Sequence, residues 1–421
     1  VTASTITELS DIAKDHFTNY WQPMMAKGGQ LKAQLDPLES WEFAGKKIIF
    51  GAKLETGGGV ANGGANKALP DNADGVYDQM ETTLKRTYAR LAIDAFEMAR
   101  LAKTKGTFRP AVEEKMDDRG NAMMKDCNRQ MWADGTGKVA HLAAGANSAS
   151  QTLSRAYNLS DGGNPAKHIY KGDNLAFYTS GGTLVGKRKV VSKAATLGSA
   201  TCTVVLESSI DLTSITAGYV AKATSDTDNT VQGEVNGVLS AMVQSGTFQA
   251  VPIGTTYAAV SLSNSGSLRD LDDSVVGTLT NAIHAQCEEY PNLFATRPGI
   301  TQKYSEIFLP IRRIDGQDVA LKGGYKPIAA IQHAGGTSPV IGDTDCPGAR
   351  LVALNTKYVK NLDLVGEDWA DFDGAQFTRI SDQDGAEGYM RKYWQLAWQR
   401  LNCHGIASDL NDVSTVDRLY S

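Results

Sequence analysis

The 421 residues carry 42 Lys and Arg against 47 Asp and Glu, a formal net charge of -5 at pH 7. That balance argues against a dedicated nucleic-acid binder, though it leaves room for a local basic face. Hydrophobic residues make up 42% of the chain, enough for two or three packed domains and against wholesale disorder, and no apolar run is long enough to span a bilayer.

Residues 1–40 read as an N-terminal arm. Val1-Thr2-Ala3-Ser4 has no basic or apolar region of the kind a secretory signal needs, so none is expected. Ile6, Leu9, Ile12, Ala13, Phe17, Tyr20 and Met24 then recur at three- and four-residue steps, the spacing of an amphipathic helix. Thr5 with Glu8 forms a capping-box pair at its start, and Pro23 bends or ends it. The arm's candidate contact residues are Ile6, Leu9, Phe17, Tyr20 and Trp21, docking on its own domain or on a neighbour.

Residues 41–91 read as two strand-like flanks around a long tip. The inbound flank is Trp41-Glu42-Phe43 followed by Lys46-Lys47-Ile48-Ile49-Phe50; the return flank runs from about Gln79 to Ile93. The tip, from Gly51 to Gly75, is too poor in large apolar groups to offset its own ordering entropy. Structureless loops of this length inside a compact domain are usually functional or disordered. An isolated two-stranded arm is marginal in water, so an ordered one is expected to lie on another subunit. Its candidate contact residues are Lys46, Lys47, Lys53, Gly57, Gly58, Gly59, Gly63, Gly64 and Lys67.

Residues 92–160 open with a helix signal at Asp94 and Glu97, closed by Gly106, and continue into the longest helix predicted, residues 110–133. Val112, Met116, Met123, Cys127 and Met131 form its apolar stripe, which reads as core, and Gly135-Thr136-Gly137 ends it. Between 165 and 225 the pattern becomes short strands, such as Leu175-Ala176-Phe177-Tyr178 and Cys202-Thr203-Val204-Val205-Leu206, predicting an inserted small β-barrel or sandwich. Helix resumes from about Leu268 to Gln286, and short strands follow at 328–331, 340–341 and 351–354. Residues 386–421 hold a strand with one aromatic face, through Met390, Lys392, Trp394, Leu396 and Trp398. The mixture is α+β with a separate all-β insert.

Catalytic motifs are absent. Gly57-Gly58-Gly59-Val60-Ala61-Asn62-Gly63-Gly64 lacks the ending of a phosphate loop. Asp226/Asp228, Asp343/Asp345, Asp371/Asp373 and Asp382/Asp384 have oxygen donors but no calcium-loop pattern, and read as solvated turns rather than metal sites. Cys127, Cys202, Cys287, Cys346 and Cys403 are scattered, which predicts reduced thiols in packing roles. Cys403-His404 are adjacent on a strand and point to opposite faces, which disfavours a catalytic dyad. The expectation is no catalytic residue, no cofactor and no metal. Lys46/Lys47, Lys187/Arg188/Lys189, Arg312/Arg313 and Arg391/Lys392 offer at most weak, sequence-independent contacts with nucleic-acid phosphates.

The order of parts resembles the major capsid proteins of tailed bacteriophages, which have the Hong Kong 97-type fold. Local text carries the same resemblance: Met131-Trp132-Ala133-Asp134-Gly135-Thr136-Gly137 at the end of the spine helix, Val235-Asn236-Gly237-Val238-Leu239 with Ser245-Gly246-Thr247-Phe248-Gln249, Gly323-Gly324-Tyr325-Lys326-Pro327-Ile328, and the run from Asp343 through Pro347 to Leu354. The resemblance implies that 41–91 is the extended E-loop with its return strand, that 92–160 and 386–421 belong to a peripheral domain, that 235–385 is an axial domain, and that 165–225 is an accessory insert. It further implies pentamers and hexamers closing into an icosahedral virion shell around double-stranded DNA, assembled in the bacterial cytoplasm. Its partners would be a separate scaffolding protein, a portal protein and decoration proteins, with weak DNA contact and no membrane. A long scaffolding segment of the kind many relatives carry has no room before the arm, so scaffolding would come from a separate protein, or the segment has been cleaved. Lysine crosslinking from Lys46, Lys47, Lys53 or Lys67 is not expected. The alternatives are an encapsulin-type nanocompartment shell and, remotely, an α+β enzyme.

Overall fold

A computed structural model describes residues 31–35, 43–44, 47–63, 70–96, 108–154, 165–196, 201–223, 233–254, 257–307, 330–371, 377–380 and 384–412. The predicted contacts Ile6, Leu9, Phe17, Tyr20 and Trp21 lie outside these residues, as do Lys46, Gly64 and Lys67. So does the helix predicted after Asp94, beyond Phe96.

Lys47–Glu55 and Val76–Thr82 form an antiparallel hairpin, with Ile48 opposite Thr82, Phe50 opposite Met80 and Lys53 opposite Tyr77. Strand alternation sends Ile48 and Met80 inward at its base. Ile48 packs with Leu362 and Ala397, while Met80 enters the main core and accepts a hydrogen bond from the Tyr257 hydroxyl at 3.0 Å. The return flank predicted from Gln79 to Ile93 is in fact two strands. After Thr82 the chain turns, and Lys85–Asp94 runs along a different partner, Gly385–Trp398, with Arg86 opposite Tyr393 and Arg90 opposite Tyr389.

Gly385–Trp398 is the centre of a four-stranded sheet, flanked by Lys85–Asp94 and by Val359–Trp369. The long helix Phe108–Trp132 packs across this sheet. Met116, Met123, Cys127 and Met131 of the predicted stripe are all buried, against Leu91, Ile93, Met390 and Trp394. Burial of side chains this size stabilises by about 1.5–3 kcal/mol each. Val359–Trp369 falls within the expected axial stretch 235–385, but its pairing with Gly385–Trp398 places it in this sheet.

The insert is a closed six-stranded antiparallel barrel, in the order Gly218–Lys222, Lys138–Leu142, Asn147–Ser154, Thr201–Asp211, Leu184–Ala195, Asn174–Thr179 and back. It therefore starts at 138, not 165, and takes strands from the 92–160 unit. Closure requires the first and last strands to pair, and Tyr219 stands opposite His141. Its interior holds Val139, Leu142, Leu153, Leu175, Phe177, Val190, Val204 and Val220.

The third unit is a mixed six-stranded sheet ordered Val260–Leu262, Gly405–Ala407, Leu351–Leu354, Leu293–Thr296, Gly336–Gly342 and Ala330–His333. Asp273–Cys287 covers it through Val276, Leu279 and Ile283. The Asp272 carboxylate caps this helix by accepting from the Val275 amide at 2.8 Å. Gly405–Ala407, placed by sequence in the peripheral tail, is an inner strand of this sheet. The chain thus passes directly from one sheet to the other at 355–358 and back at 399–404.

Candidate assembly surfaces and the buried charge junction

The hairpin carries exposed apolar side chains toward its tip. Val60 is 96% exposed, Tyr77 70% and Val76 47%. Lys47 pairs with Glu81 of the opposite strand, and the Lys53 ammonium lies 5.9 Å from the Tyr77 ring centroid. Both predicted lysines are therefore engaged within their own hairpin. The glycines divide. A methyl group on Gly57 would stand 2.2 Å from the Ala73 carbonyl oxygen, and Gly59, at φ 87°, would meet that of Asp71 at 2.6 Å. These two let the outgoing and returning chains lie against each other. Gly58 and Gly63 face open space or a soft contact. Beyond the last strand pair, Glu55 opposite Val76, the described residues 57–59 and 71–75 run close beside each other without regular secondary structure.

Sequence reasoning missed a second exposed surface, on the outer face of the four-stranded sheet. The Tyr88 ring sits edge-on to Tyr389 at 6.0 Å and to Tyr393 at 6.1 Å; Arg86 lies 5.8 Å from the Tyr393 ring. Arg90 pairs with Glu387, so part of the positive charge is offset. The period-two run Arg86, Tyr88, Arg90 was the available signal.

Where the long helix ends, three units meet over buried charge. Arg129, 6% exposed, holds Glu234 and, at 3.1 Å, Asp126. Lys222 of the barrel reaches Asp126 at 3.0 Å and Asp173 at 3.5 Å. Lys167 of the barrel pairs with Asp345 at 3.0 Å, and Asn128 donates to Asp345 at 2.7 Å. Trp132 Nε1 donates to Asp343 at 3.1 Å. Burial raises the Asp126 carboxyl, but Arg129 and Lys222 overcome it and hold the group far below the usual range. Asp345 is likewise lowered: burial opposes, and the Lys167 charge prevails. Asp343 and Asp345, read from sequence as a solvated turn, are buried and hydrogen-bonded. Among the described residues no group of three or more His, Cys, Asp or Glu is arranged to hold a metal.

A second buried pair holds the sheet. Lys392, 0% exposed, donates to Glu367 at 2.8 Å, and Lys32 reaches the same oxygen at 2.7 Å. Arg391/Lys392 is thus not a basic patch. Burial raises Glu367, but the charges of Lys392 and Lys32 outweigh it and hold the carboxyl down to about 2 from 4.5. A depressed carboxyl stabilises the fold fully above its unfolded value and loses that contribution as pH falls through its folded value. We expect acid to remove on the order of 3 kcal/mol between about pH 4.5 and pH 2 through this group. Urea unfolding across that range reads it, and Glu367→Gln should flatten that share of the pH slope; an unchanged slope refutes the assignment.

Two of the described histidines, His404 and His333, are held in local hydrogen bonds. Burial pushes His404 down to about 3, its Nδ1 accepts from the Asn355 amide at 3.1 Å, and it stands edge-on to Trp398. His333 Nδ1 accepts from the Gly335 amide, so Nε2 donates to the Ser338 hydroxyl, whose own proton goes to the Pro291 carbonyl. Neither is placed to take a proton from a nucleophile.

No protein-family model matches the chain, and no curated protein matches it in sequence. Solved structures do. A chain of the Cyanophage A-1(L) capsid asymmetric unit is similar at 13% identity and TM-score 0.56, over 91% of this chain and 93% of that one. A capsid chain of an empty GTA particle is similar at 9% identity and TM-score 0.44, over 91% and 90%. A chain of the holo-SrpI encapsulin complex from Synechococcus elongatus PCC 7942 is similar at 10% identity and TM-score 0.40, over 93% and 89%. Over more than nine-tenths of both chains, this protein is similar in fold to a phage capsid chain.

Proposed function

We propose that the chain is a structural shell subunit, a tailed-phage major capsid protein of the Hong Kong 97 type. In this reading it assembles as pentamers and hexamers into an icosahedral virion shell around double-stranded DNA, in the host cytoplasm. The observation that carries the reading is the likeness of fold to the cyanophage capsid chain along 91% of the molecule. The hairpin is then the E-loop, the four-stranded sheet with the long helix the peripheral domain, the six-stranded unit the axial domain, and the barrel an accessory insert.

The work of such a subunit is assembly rather than catalysis. Val60, Val76 and Tyr77 stand exposed on a finger that has little core of its own. Covering them with a neighbouring copy contributes about 1.5–3 kcal/mol per fully buried side chain, and closed symmetry repeats the contact at every subunit. A separate scaffolding protein, a portal and decoration proteins are the further partners, with weak phosphate contacts to the packaged DNA.

Deleting residues 55–66 tests this. Circular dichroism should be unchanged, because both sheets, the barrel and the long helix keep their cores. Electron microscopy should show shells lost or fragile in the variant and regular in the intact chain expressed with a scaffold. Equally stable shells from the deletion refute the role of the finger. Particles filled with protein and free of nucleic acid would identify a nanocompartment instead.

A further inference from the structure

The second crossing between the sheets brings together two cysteines that are far apart in sequence. Cys287 is the last residue of the helix Asp273–Cys287, and Cys403 closes the short 3-10 turn Leu401–Cys403. Two hydrogen bonds clamp these segments side by side. Arg400 Nη2 donates to the Cys287 carbonyl at 3.4 Å, and Asn402 Nδ2 donates to the Gln286 carbonyl at 3.3 Å. Just beyond, Gly405 packs directly on the helix, where a methyl group would touch Ile283 and Leu279 at 2.8 and 2.9 Å. Inside this clamp both side chains are buried in one apolar cluster and lie against each other. The Cys287 thiol donates to the Glu289 carbonyl at 3.3 Å, and the Cys403 thiol is 3.8 Å from Asn402 Oδ1.

We propose that Cys287 and Cys403 are a redox pair that closes into a disulfide across the crossing when the protein meets a small-molecule disulfide oxidant. The inference concerns the folded chain itself and does not rest on the shell reading.

The local chemistry divides the roles. The neighbouring Cys403 side chain, with the Glu289 backbone and the Arg400 charge, brings Cys287 down to about 7 despite burial. Cys403 is pushed far up by its contact with Cys287 and by burial. Cys287 is thus the attacking thiolate near neutral pH, and Cys403 the resolving thiol. With glutathione disulfide, the Cys287 thiolate attacks one sulfur, the reagent's S–S bond breaks, and glutathione leaves as a thiolate that takes up a proton. Cys403 then loses its proton to solvent, attacks the Cys287 sulfur and expels the second glutathione. Two protein thiols are oxidised and one glutathione disulfide is reduced to two glutathiones. Cys287 is 4% exposed, so the reagent enters as the last helical turn opens, next to the left-handed Glu288 at φ 59°.

The other thiols differ. Burial pushes Cys127 up to about 12 and Cys346 higher still, and Cys202 is also raised by burial. The pair is therefore the expected site of selective oxidation.

The purified full-length chain, reduced and then exposed to glutathione disulfide at pH 7.5, provides the test. Intact mass should fall by two hydrogens, a Cys287–Cys403 linked peptide should appear in the non-reducing digest, and dithiothreitol should reverse both. Cys403→Ser should stop at a glutathione adduct on Cys287, and Cys287→Ser should react at neither position. Parallel treatment with dithiodipyridine, a smaller disulfide reagent, guards against exclusion of glutathione by size. Absence of the linked peptide with both reagents overturns the proposal, as does a link through any other cysteine or a lasting adduct at Cys287 in the unsubstituted chain.

Discussion

Replacing Glu367 by alanine is expected to destabilise the protein by about 3–5 kcal/mol. Lys392 has no exposure to water, and its nearest alternative carboxylate is Asp363, 3.9 Å away. Its ammonium also stands 4.1 Å from the Trp394 ring, a contact that favours the charge but does not replace a hydrogen-bonded anion. Without Glu367 the charge is buried without adequate compensation, and Lys32 loses the partner that fixes the segment whose Leu31 and Leu35 enter the core. Equilibrium unfolding in urea measures the loss. The double variant Glu367→Ala with Lys392→Met should recover most of it, because an apolar side chain of similar size suits the site better than an orphaned cation. A single-variant loss below about 1 kcal/mol, or no recovery in the double, would contradict the role assigned to this pair.

Gly237→Ala is expected to cost about 3 kcal/mol, at the upper end for an overpacked site. Gly237 lies on the carbonyl end of the long helix. An added methyl group would stand 2.4, 2.5 and 2.7 Å from the backbone oxygens of Gln130, Ala133 and Met131. Those atoms are backbone and cannot rotate away. The demand is for space alone, since φ at Gly237 is an ordinary -73°. Pulling the loop back would also strain the Asn236 amide bond to Gln395, at 2.8 Å, and the Trp398 Nε1 bond to the Asn236 carbonyl, at 2.9 Å. Gly277→Ala is the contrast: it lies inside the helix Asp273–Cys287 with nothing within 4 Å of a new methyl group, and should stabilise by about 0.5–1 kcal/mol. Thermal melts of the two variants should move in opposite directions; equal shifts would refute the steric account.

Periodic apolar patterns were legible and the long-range pairings were not. Met116, Met123, Cys127 and Met131 declared the buried face of the long helix because their spacing follows the helix period. The late strand declared itself through alternating Met390, Trp394 and Trp398. The barrel's first two strands stayed hidden: Asn147–Ser154 is rich in serine and buries only Gln151 and Leu153, so its alternation is faint. Lys392 kept period with the aromatic face yet read as half of a basic pair, because its partner Glu367 sits on a neighbouring strand. Asp343 and Asp345 read as solvent-facing for the same reason: Asn128, Trp132 and Lys167 reach them only through tertiary structure. Composition marked the finger's glycines as slack, whereas Gly57 and Gly59 are placed by the backbone that passes beside them.

The barrel's two ends are hydrogen-bonded neighbours, Lys138 opposite Ala221, so the rest of the molecule sees this module as a short loop. A spliced-in unit with adjacent ends can be exchanged for another without stretching its host. Its removal is not neutral, however. Lys167 and Lys222 leave with it, and Asp345 and Asp126 lose cations they face across the junction. Asn128 would remain beside Asp345 and Arg129 beside Asp126. A barrel-free version of this protein therefore needs Asp345→Asn, and a smaller adjustment at Asp126, before the join can close without buried charge. Buried ion pairs tie the barrel to its host, and any module exchanged at this position must bring two cations of its own unless both carboxylates are replaced.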